Sequence, residues 1–203
     1  MQTIGPVLIA VTLVGAAQWY VLADPPRPPR SKAHPEWTAT TALPNASILS
    51  GGKRCSAWDG TRFQCGKRPW EWAGAYIGNV QSEGVSDKRV CTWIHPRRGG
   101  TNQVTYREVP ATSRVSGYIG LLDSARNGAH ISATLKINGN RVWNVRMTDE
   151  HRGWHTIDAK TPGASLGPMN ISIELTTPNP AWRHVCFQLT LDELSASLHG
   201  ETL

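Results

Sequence analysis

The pattern of apolar and polar positions along most of this chain is typical of β-strands. Between residues 130 and 137 the apolar side chains occupy every second position, and the same alternation recurs at 169–176 and 184–191. A period of two places such side chains on one face of a strand. Asn138-Gly139-Asn140 follows the first run and favours a tight turn into a returning strand. The predicted strands are 55–58, 62–65, 90–94, 104–109, 113–122, 130–137, 142–147, 154–159, 169–176 and 184–191.

The spacing of these strands predicts an all-β fold, a single β-sandwich or jelly roll over residues 53–203. No stretch after residue 24 has a convincing helical period, except a short turn at 192–198. Residues 82–88 are expected to form a loop. The composition agrees, because glycine (19) and proline (14) are frequent and charged residues are only 18% of the chain.

Residues 1–23 form an apolar N-terminal segment, in which residues 4–22 carry no charge. Nineteen residues at helical rise span roughly 28 Å, close to the thickness of a bilayer core. Trp19 and Tyr20 lie near its end, where membrane-interface aromatics belong. We expect one N-terminal transmembrane helix; a cleaved secretory signal ending near Ala23 is the alternative.

Residues 24–52 form a proline-rich linker that begins DPPRPPRSKAHPEW. Such a run favours an extended polyproline conformation, which acts as a semi-rigid spacer. It would hold the domain away from the membrane, or lie along a partner protein as an ordered strap.

The four cysteines, Cys55, Cys65, Cys91 and Cys186, are predicted to form two disulfides. A hairpin turn at Asp59-Gly60 brings Cys65 level with Cys55 if one bulge residue intervenes. This leaves Cys91 to pair with Cys186, both in strand-like runs. A zinc site and four free thiols are the alternatives, but the chain contains no Cys-x-x-Cys.

Two signals disagree about orientation. Basic residues follow the apolar segment and none precedes it, which alone would place the domain in the cytoplasm. Disulfides imply an oxidising compartment. We give the disulfides more weight and expect a single-pass protein of the cell inner membrane, with its globular domain in the periplasm.

Residues 91–191 resemble the carbohydrate-binding-module type of β-sandwich found in bacterial membrane and envelope proteins. The resemblance rests on a set of short motifs: CTWIHP at 91–96, VSGYIGLLD at 115–123, KING at 136–139, GWH at 153–155 and RHVCF at 183–187. It implies a sandwich fold and raises glycan binding as a function.

No catalytic apparatus, metal site or cofactor site is predicted. His151 and His155 have metal-ligand spacing only on a helix, and Gly153 makes a helix improbable there. Asp59 and Asp123 are better explained as turn residues than as calcium ligands. The chain has no Gly-x-Ser-x-Gly motif. The net charge is +6, but the basic pairs are scattered, which argues against nucleic-acid binding.

Two functions therefore compete. The main expectation is a non-enzymatic accessory subunit that braces a larger membrane protein complex, with membrane subunits and the lipid bilayer as partners. The alternative is an envelope glycan-binding module. Its candidate glycan or interface aromatics are Trp58, Trp70, Trp72 and Trp93.

Overall fold

The computed structural model describes residues 37–82, 85–97, 100–125, 127–162 and 167–192. The elements in chain order are α1 (Ala39–Ala42), a 3₁₀ turn (Leu43–Asn45), β1 (Ser47–Ser50), β2 (Lys53–Arg54), β3 (Arg62–Gln64), β4 (Trp72–Ser82), β5 (Val85–Ile94), β6 (Thr101–Val109), β7 (Arg114–Leu121), β8 (Ile131–Ile137), β9 (Asn140–Met147), β10 (Trp154–Lys160), β11 (Met169–Thr176) and β12 (Val185–Leu191).

These strands form two antiparallel sheets, so the predicted all-β sandwich is confirmed. Sheet 1 has the order β2-β1-β6-β11-β8-β9, and sheet 2 has the order β10-β7-β12-β5-β4-β3. The alternating apolar positions of β8, β11 and β12 face one core between the sheets. The fold therefore follows from the period-two pattern that the sequence shows.

The turn between β8 and β9 lies where the sequence predicts it, but it has two residues, because Asn140 already belongs to β9. Asn138 and Gly139 both have positive φ, 49° and 83°. This combination matches the twist of a hairpin and suits asparagine and glycine. Ile137 pairs with Asn140 directly across the turn.

The strands β4 and β5 form a long hairpin, here called the arm, that the sequence did not predict in full. The expected loop at 82–88 is wrong, because β5 already begins at Val85. β5 pairs with β4 along its whole length but with β12 only at its last three residues. The part of the arm that does not pair with β12 folds across the outer face of sheet 2.

Hydrogen bonds hold the arm against that face. The Tyr118 hydroxyl donates to the Val90 carbonyl (2.6 Å), and the Trp154 indole donates to the Asp87 carbonyl (3.3 Å). Val80 of the arm packs with Leu122 in a second apolar cluster. The arm thus covers part of the outer face of sheet 2, and the apolar side chains between them form a second, smaller core.

The domain begins earlier than the predicted boundary at residue 53. The Thr38 hydroxyl caps α1, and its backbone forms a bridge with Thr190 of β12. Leu43 is fully buried in the main core. Residues 38–50, placed in the extended linker by the sequence, therefore belong to the sandwich. The remaining linker and the predicted membrane anchor, with Trp19 and Tyr20, lie outside the described residues.

Both predicted disulfides are present, Cys55–Cys65 and Cys91–Cys186. The first closes the segment between β2 and β3, and residues 55–58 within it are not a strand. The second joins the arm to β12. Within the described part of the chain, no helix has the length and apolar character that a membrane crossing needs.

Candidate functional site

A wide groove of about 1380 Å³ lies at one end of the sandwich. Four connections supply most of its lining: β1–β2, β3–β4, β5–β6 and β11–β12. They meet because antiparallel strands place these connections at the same end of the two sheets. The described lining residues are Gly51, Lys53, Arg54, Gln64, Cys65, Gly66, Lys67, Arg68, Trp70, Glu71, His95, Pro96, Arg97, Asn179, Pro180, Ala181, Trp182 and His184.

Trp70 is one exposed aromatic of this groove, with 47% of its surface accessible. It lies in the β3–β4 connection, which hydrogen bonds hold in shape. The Gln64 side-chain amide donates to the carbonyls of Gly66 and Arg68 (2.7 and 3.0 Å). The Arg68 guanidinium lies over the Trp70 ring, 5.6 Å from its centroid. Trp70 is therefore presented by an ordered loop.

Trp182 is the second exposed aromatic, with 65% of its surface accessible. Its φ is 56°, a left-handed conformation that is unfavourable for a bulky side chain. The loop around it is fixed by hydrogen bonds from the Arg183 amide to the Pro180 carbonyl and from the Ala181 amide to the Asn179 side chain. Strain at an exposed residue of a groove points to a role in ligand contact.

The fully buried side chain of Arg183 anchors the Trp182 loop from below. Both terminal nitrogens of Arg183 donate to the Asp149 carboxylate at 2.8 Å. This bidentate pair, with hydrogen bonds from Gly128 and Arg152, lowers the pKa of Asp149 to about 2. A buried guanidinium requires such a partner, so the pair ties the β11–β12 and β9–β10 loops together.

The groove is strongly basic. Five of its described lining residues are lysine or arginine, and Glu71 is the one acidic residue among them. Arg97 pairs with Glu71 at 3.3 Å. The hydrogen bond from the Arg68 amide, together with Arg97, lowers the pKa of Glu71. Glu71 thus remains ionised at neutral pH and orients the Arg97 side chain.

Two histidines stand edge to face in the groove. The rings of His95 and His184 lie 5.4 Å apart. Nδ1 of His95 lies 2.9 Å from the Arg183 carbonyl, which can only accept, so this nitrogen carries a proton. Burial lowers the pKa of both rings, and the neighbouring His95 lowers that of His184 further. Both are neutral at neutral pH and act as hydrogen-bonding groups.

The structure separates the four tryptophans that the sequence selected. Trp70 lies in the groove, on the turn before β4. Trp72 stacks on the buried Trp93 with 4.0 Å between centroids, on the outer face of sheet 2. Trp58 packs against Phe63 at the edge of the main core. A role in stability explains Trp58, Trp72 and Trp93 better than contact with a ligand does.

Trp182 was missed by sequence reasoning. It follows Asn-Pro-Ala, which marks a loop between β11 and β12, and an aromatic residue in such a loop is a signal for binding. The cluster at 149–155 has a structural role through Asp149. Among the residues that the structure describes, no group of three acidic, histidine or cysteine side chains could hold a metal ion.

No protein-family model and no curated protein matches the chain. Among solved structures, it is similar to the CBM51 module of a Clostridium perfringens GH95 protein in complex with methyl-galactose, with 13% identity over 61% of this chain and 94% of that chain (TM-score 0.40). It is also similar to a structure of CBM51-2 in complex with GlcNAc and INT domains from C. perfringens ZmpB, with 10% identity over 57% of this chain (TM-score 0.41); the match spans 25% of that chain.

A third similar structure is the CBM36-1 domain of a multidomain xylanase from the hindgut metagenome of Trinervitermes trinervoides. It shares 16% identity over 73% of this chain and 98% of that chain (TM-score 0.34). The three structures contain carbohydrate-binding modules, the type of β-sandwich that residues 91–191 resemble.

Proposed function

We propose that this domain is a non-enzymatic glycan-binding module and that the groove is its binding site. The observation that carries the proposal is the presence of two exposed tryptophans, Trp70 and Trp182, on two ordered loops of one groove. A large exposed indole is costly to hydrate, and fixing it in place prepares it for contact.

The chemistry of the groove suits a sugar chain. Indoles offer flat apolar faces to the C–H groups of sugar rings, while arginine, lysine, asparagine and histidine offer donors to hydroxyl groups. The volume of about 1380 Å³ exceeds that of a typical small-molecule pocket of roughly 300–1,000 Å³. We therefore favour a ligand of several sugar units over a single monosaccharide.

The cellular setting that we propose is the bacterial envelope. Two disulfides favour an oxidising compartment such as the periplasm. The apolar segment at residues 1–23 would tether the domain to the inner membrane, so that the groove meets glycans near the membrane surface.

The test is a glycan array probed with the full chain in mild detergent, followed by calorimetry on the best ligand. Trp70→Ala and Trp182→Ala should each weaken binding at least tenfold, about 1.4 kcal/mol. Tyr76→Ala is the matched control, because Tyr76 is an exposed aromatic outside the groove. The proposal fails if no glycan binds, or if both tryptophan variants bind as the parent does.

A second candidate function is the accessory subunit of a membrane complex. Ile77 and Val90 favour it, since they face each other across the arm and remain 66% and 53% exposed. Paired exposed aliphatic side chains are typical of protein contacts. Extraction of native membranes in mild detergent, with sizing and mass spectrometry, tests it: migration as a lone small protein would exclude it.

A further inference from the structure

We infer that the groove selects acidic glycans, whose sugars carry carboxylate, sulfate or phosphate groups. This inference rests on the proposed function and adds a ligand class to it. Its basis is the charge of the groove and the position of that charge beside Trp70.

Most of the positive charge in the groove is available to a ligand. Arg97 is paired with Glu71. In the described part of the chain, Lys53, Arg54, Lys67 and Arg68 form no salt bridge with an acidic side chain, and all four are exposed. Four exposed cations without a salt-bridge partner among the described residues focus a positive potential in this concave site, which attracts anions.

Part of this positive charge lies directly beside the exposed indole of Trp70. Arg68 covers one face of the Trp70 indole at 5.6 Å. The other face remains for a sugar ring, because the side chain is 47% exposed. The acidic substituent of a sugar stacked there would be attracted by the exposed cations that line the same groove. Guanidinium groups match carboxylate, sulfate and phosphate oxygens through two parallel hydrogen bonds.

Glu71 does not oppose an anionic ligand. Its carboxylate already accepts hydrogen bonds from the Arg97 side chain (3.3 Å) and the Arg68 amide (3.1 Å). Its charge is therefore compensated within the protein. The net effect of the described lining residues is a positive site.

Nucleic acid is the other polyanion with which such a site could interact. Two disulfides argue for a compartment outside the cytosol, where glycans are the abundant polymers. The cations also gather at one groove rather than along a stripe that tracks a nucleic-acid backbone. We therefore commit to a glycan and keep nucleic acid as an outcome of the test.

The experiment compares oligosaccharides that differ only in charge, using the full chain in mild detergent. The two pairs are oligogalacturonate with its methyl ester, and a carrageenan hexasaccharide with its desulfated form; neutral oligosaccharides found on the array are included. We expect at least one acidic member to bind tenfold or more tightly than its neutral partner. Its Kd should rise on going from 50 to 500 mM salt, as ion pairs are screened.

Charge variants locate the effect. Lys53→Gln/Arg54→Gln and Lys67→Gln/Arg68→Gln should each weaken acidic-ligand binding at least fivefold, and by a larger factor than they weaken neutral-ligand binding. Lys88→Gln/Arg107→Gln is the matched control, since it removes the same charge from exposed positions outside the groove. An equal loss in this control would show a nonspecific charge effect and overturn the inference.

The remaining outcomes separate the inference from the proposed function. Equal binding of neutral and acidic partners, or binding of neutral oligosaccharides alone, overturns the acidic selectivity and leaves a glycan-binding module. Absence of all glycan binding overturns both. Tighter binding of a ten-nucleotide oligothymidylate than of any glycan would assign the groove to nucleic acid.

Discussion

Trp182 combines three properties at one residue: high exposure, a left-handed backbone and a loop fixed by the ion pair of the buried Arg183 with Asp149. An L-residue in this conformation is strained by contact between its Cβ and its own carbonyl. The Arg183–Asp149 pair and the Pro180 carbonyl overdetermine the loop and hold Trp182 there. The backbone strain is thus balanced by interactions of its neighbours.

Replacement of Trp182 separates strain from function. The free energy of unfolding should be higher for Trp182→Gly than for Trp182→Ala by roughly 0.5–1 kcal/mol. Glycine relieves the backbone strain of the folded state, and this gain exceeds the loss from the greater entropy of glycine in the unfolded chain. Both variants should lose glycan binding. Urea unfolding measures the difference.

The neighbouring exposed Ala181, whose φ is not positive, supplies the control. Ala181→Gly should destabilise the protein slightly, since only the entropic effect operates there. Equal stability of the two Trp182 variants would show that the loop relaxes at no cost, and that it is not held under strain.

Individual residues differ in how far the sequence predicts them. The disulfide pairs could be predicted, because the turn at Asp59 limits which cysteines can meet. In the structure the Asp59 carboxylate accepts hydrogen bonds from the amides of Thr61 and Arg62 and fixes this turn. The groove could not be predicted, because its lining comes from connections that are far apart in sequence and share no period. Only the three-dimensional arrangement brings Lys53 near Trp70.

At the level of elements, β8 and β9 were predictable and β4 was not. The hairpin of β8 and β9 shows both a period of two and an Asn-Gly turn. In β4, Gly74 and Gly78 interrupt the alternation of apolar and polar positions. Apolar residues also occur on both faces of this strand, since Val80 is buried whereas Ile77 is exposed. Glycine in a strand signals a close approach that sequence alone does not reveal.

Gly78 is such a close approach. A Cβ at this position would lie 2.8 and 2.9 Å from the sulfurs of Cys186 and Cys91, and 2.9 Å from Leu122. Gly78→Ala should therefore destabilise the protein by about 1–3 kcal/mol through overpacking beneath the arm. Chemical unfolding under oxidising conditions measures this change.

Lys88→Ala is the control on the same arm, because the Lys88 side chain is exposed. We expect a change of less than about 0.5 kcal/mol for it. If Gly78→Ala is equally mild, then the arm can lift from sheet 2 without loss, and its role as a cover for the second apolar cluster is wrong.

For the whole molecule, three half-buried histidines link stability to pH. Burial is the largest cause that lowers the pKa of His95, His155 and His184 below 6.5. In the unfolded chain these rings bind protons near pH 6.5, whereas in the folded protein they do so only at lower pH. The unfolded state therefore binds more protons within this window, and stability rises with pH.

The midpoint of urea unfolding should accordingly be lower at pH 5.5 than at pH 7.5. The carboxylates do not interfere, because Asp59, Glu71 and Asp149 have a lowered pKa and lose their stabilising charge only below about pH 4.5. His95→Gln/His184→Gln should reduce the difference between the two pH values, since it removes two of the three groups and glutamine can still donate to the Arg183 carbonyl. If the difference between the two midpoints is unchanged in this variant, groups other than His95 and His184 cause the pH response. A higher midpoint at pH 5.5 than at pH 7.5 would mean that these rings are charged in the folded protein.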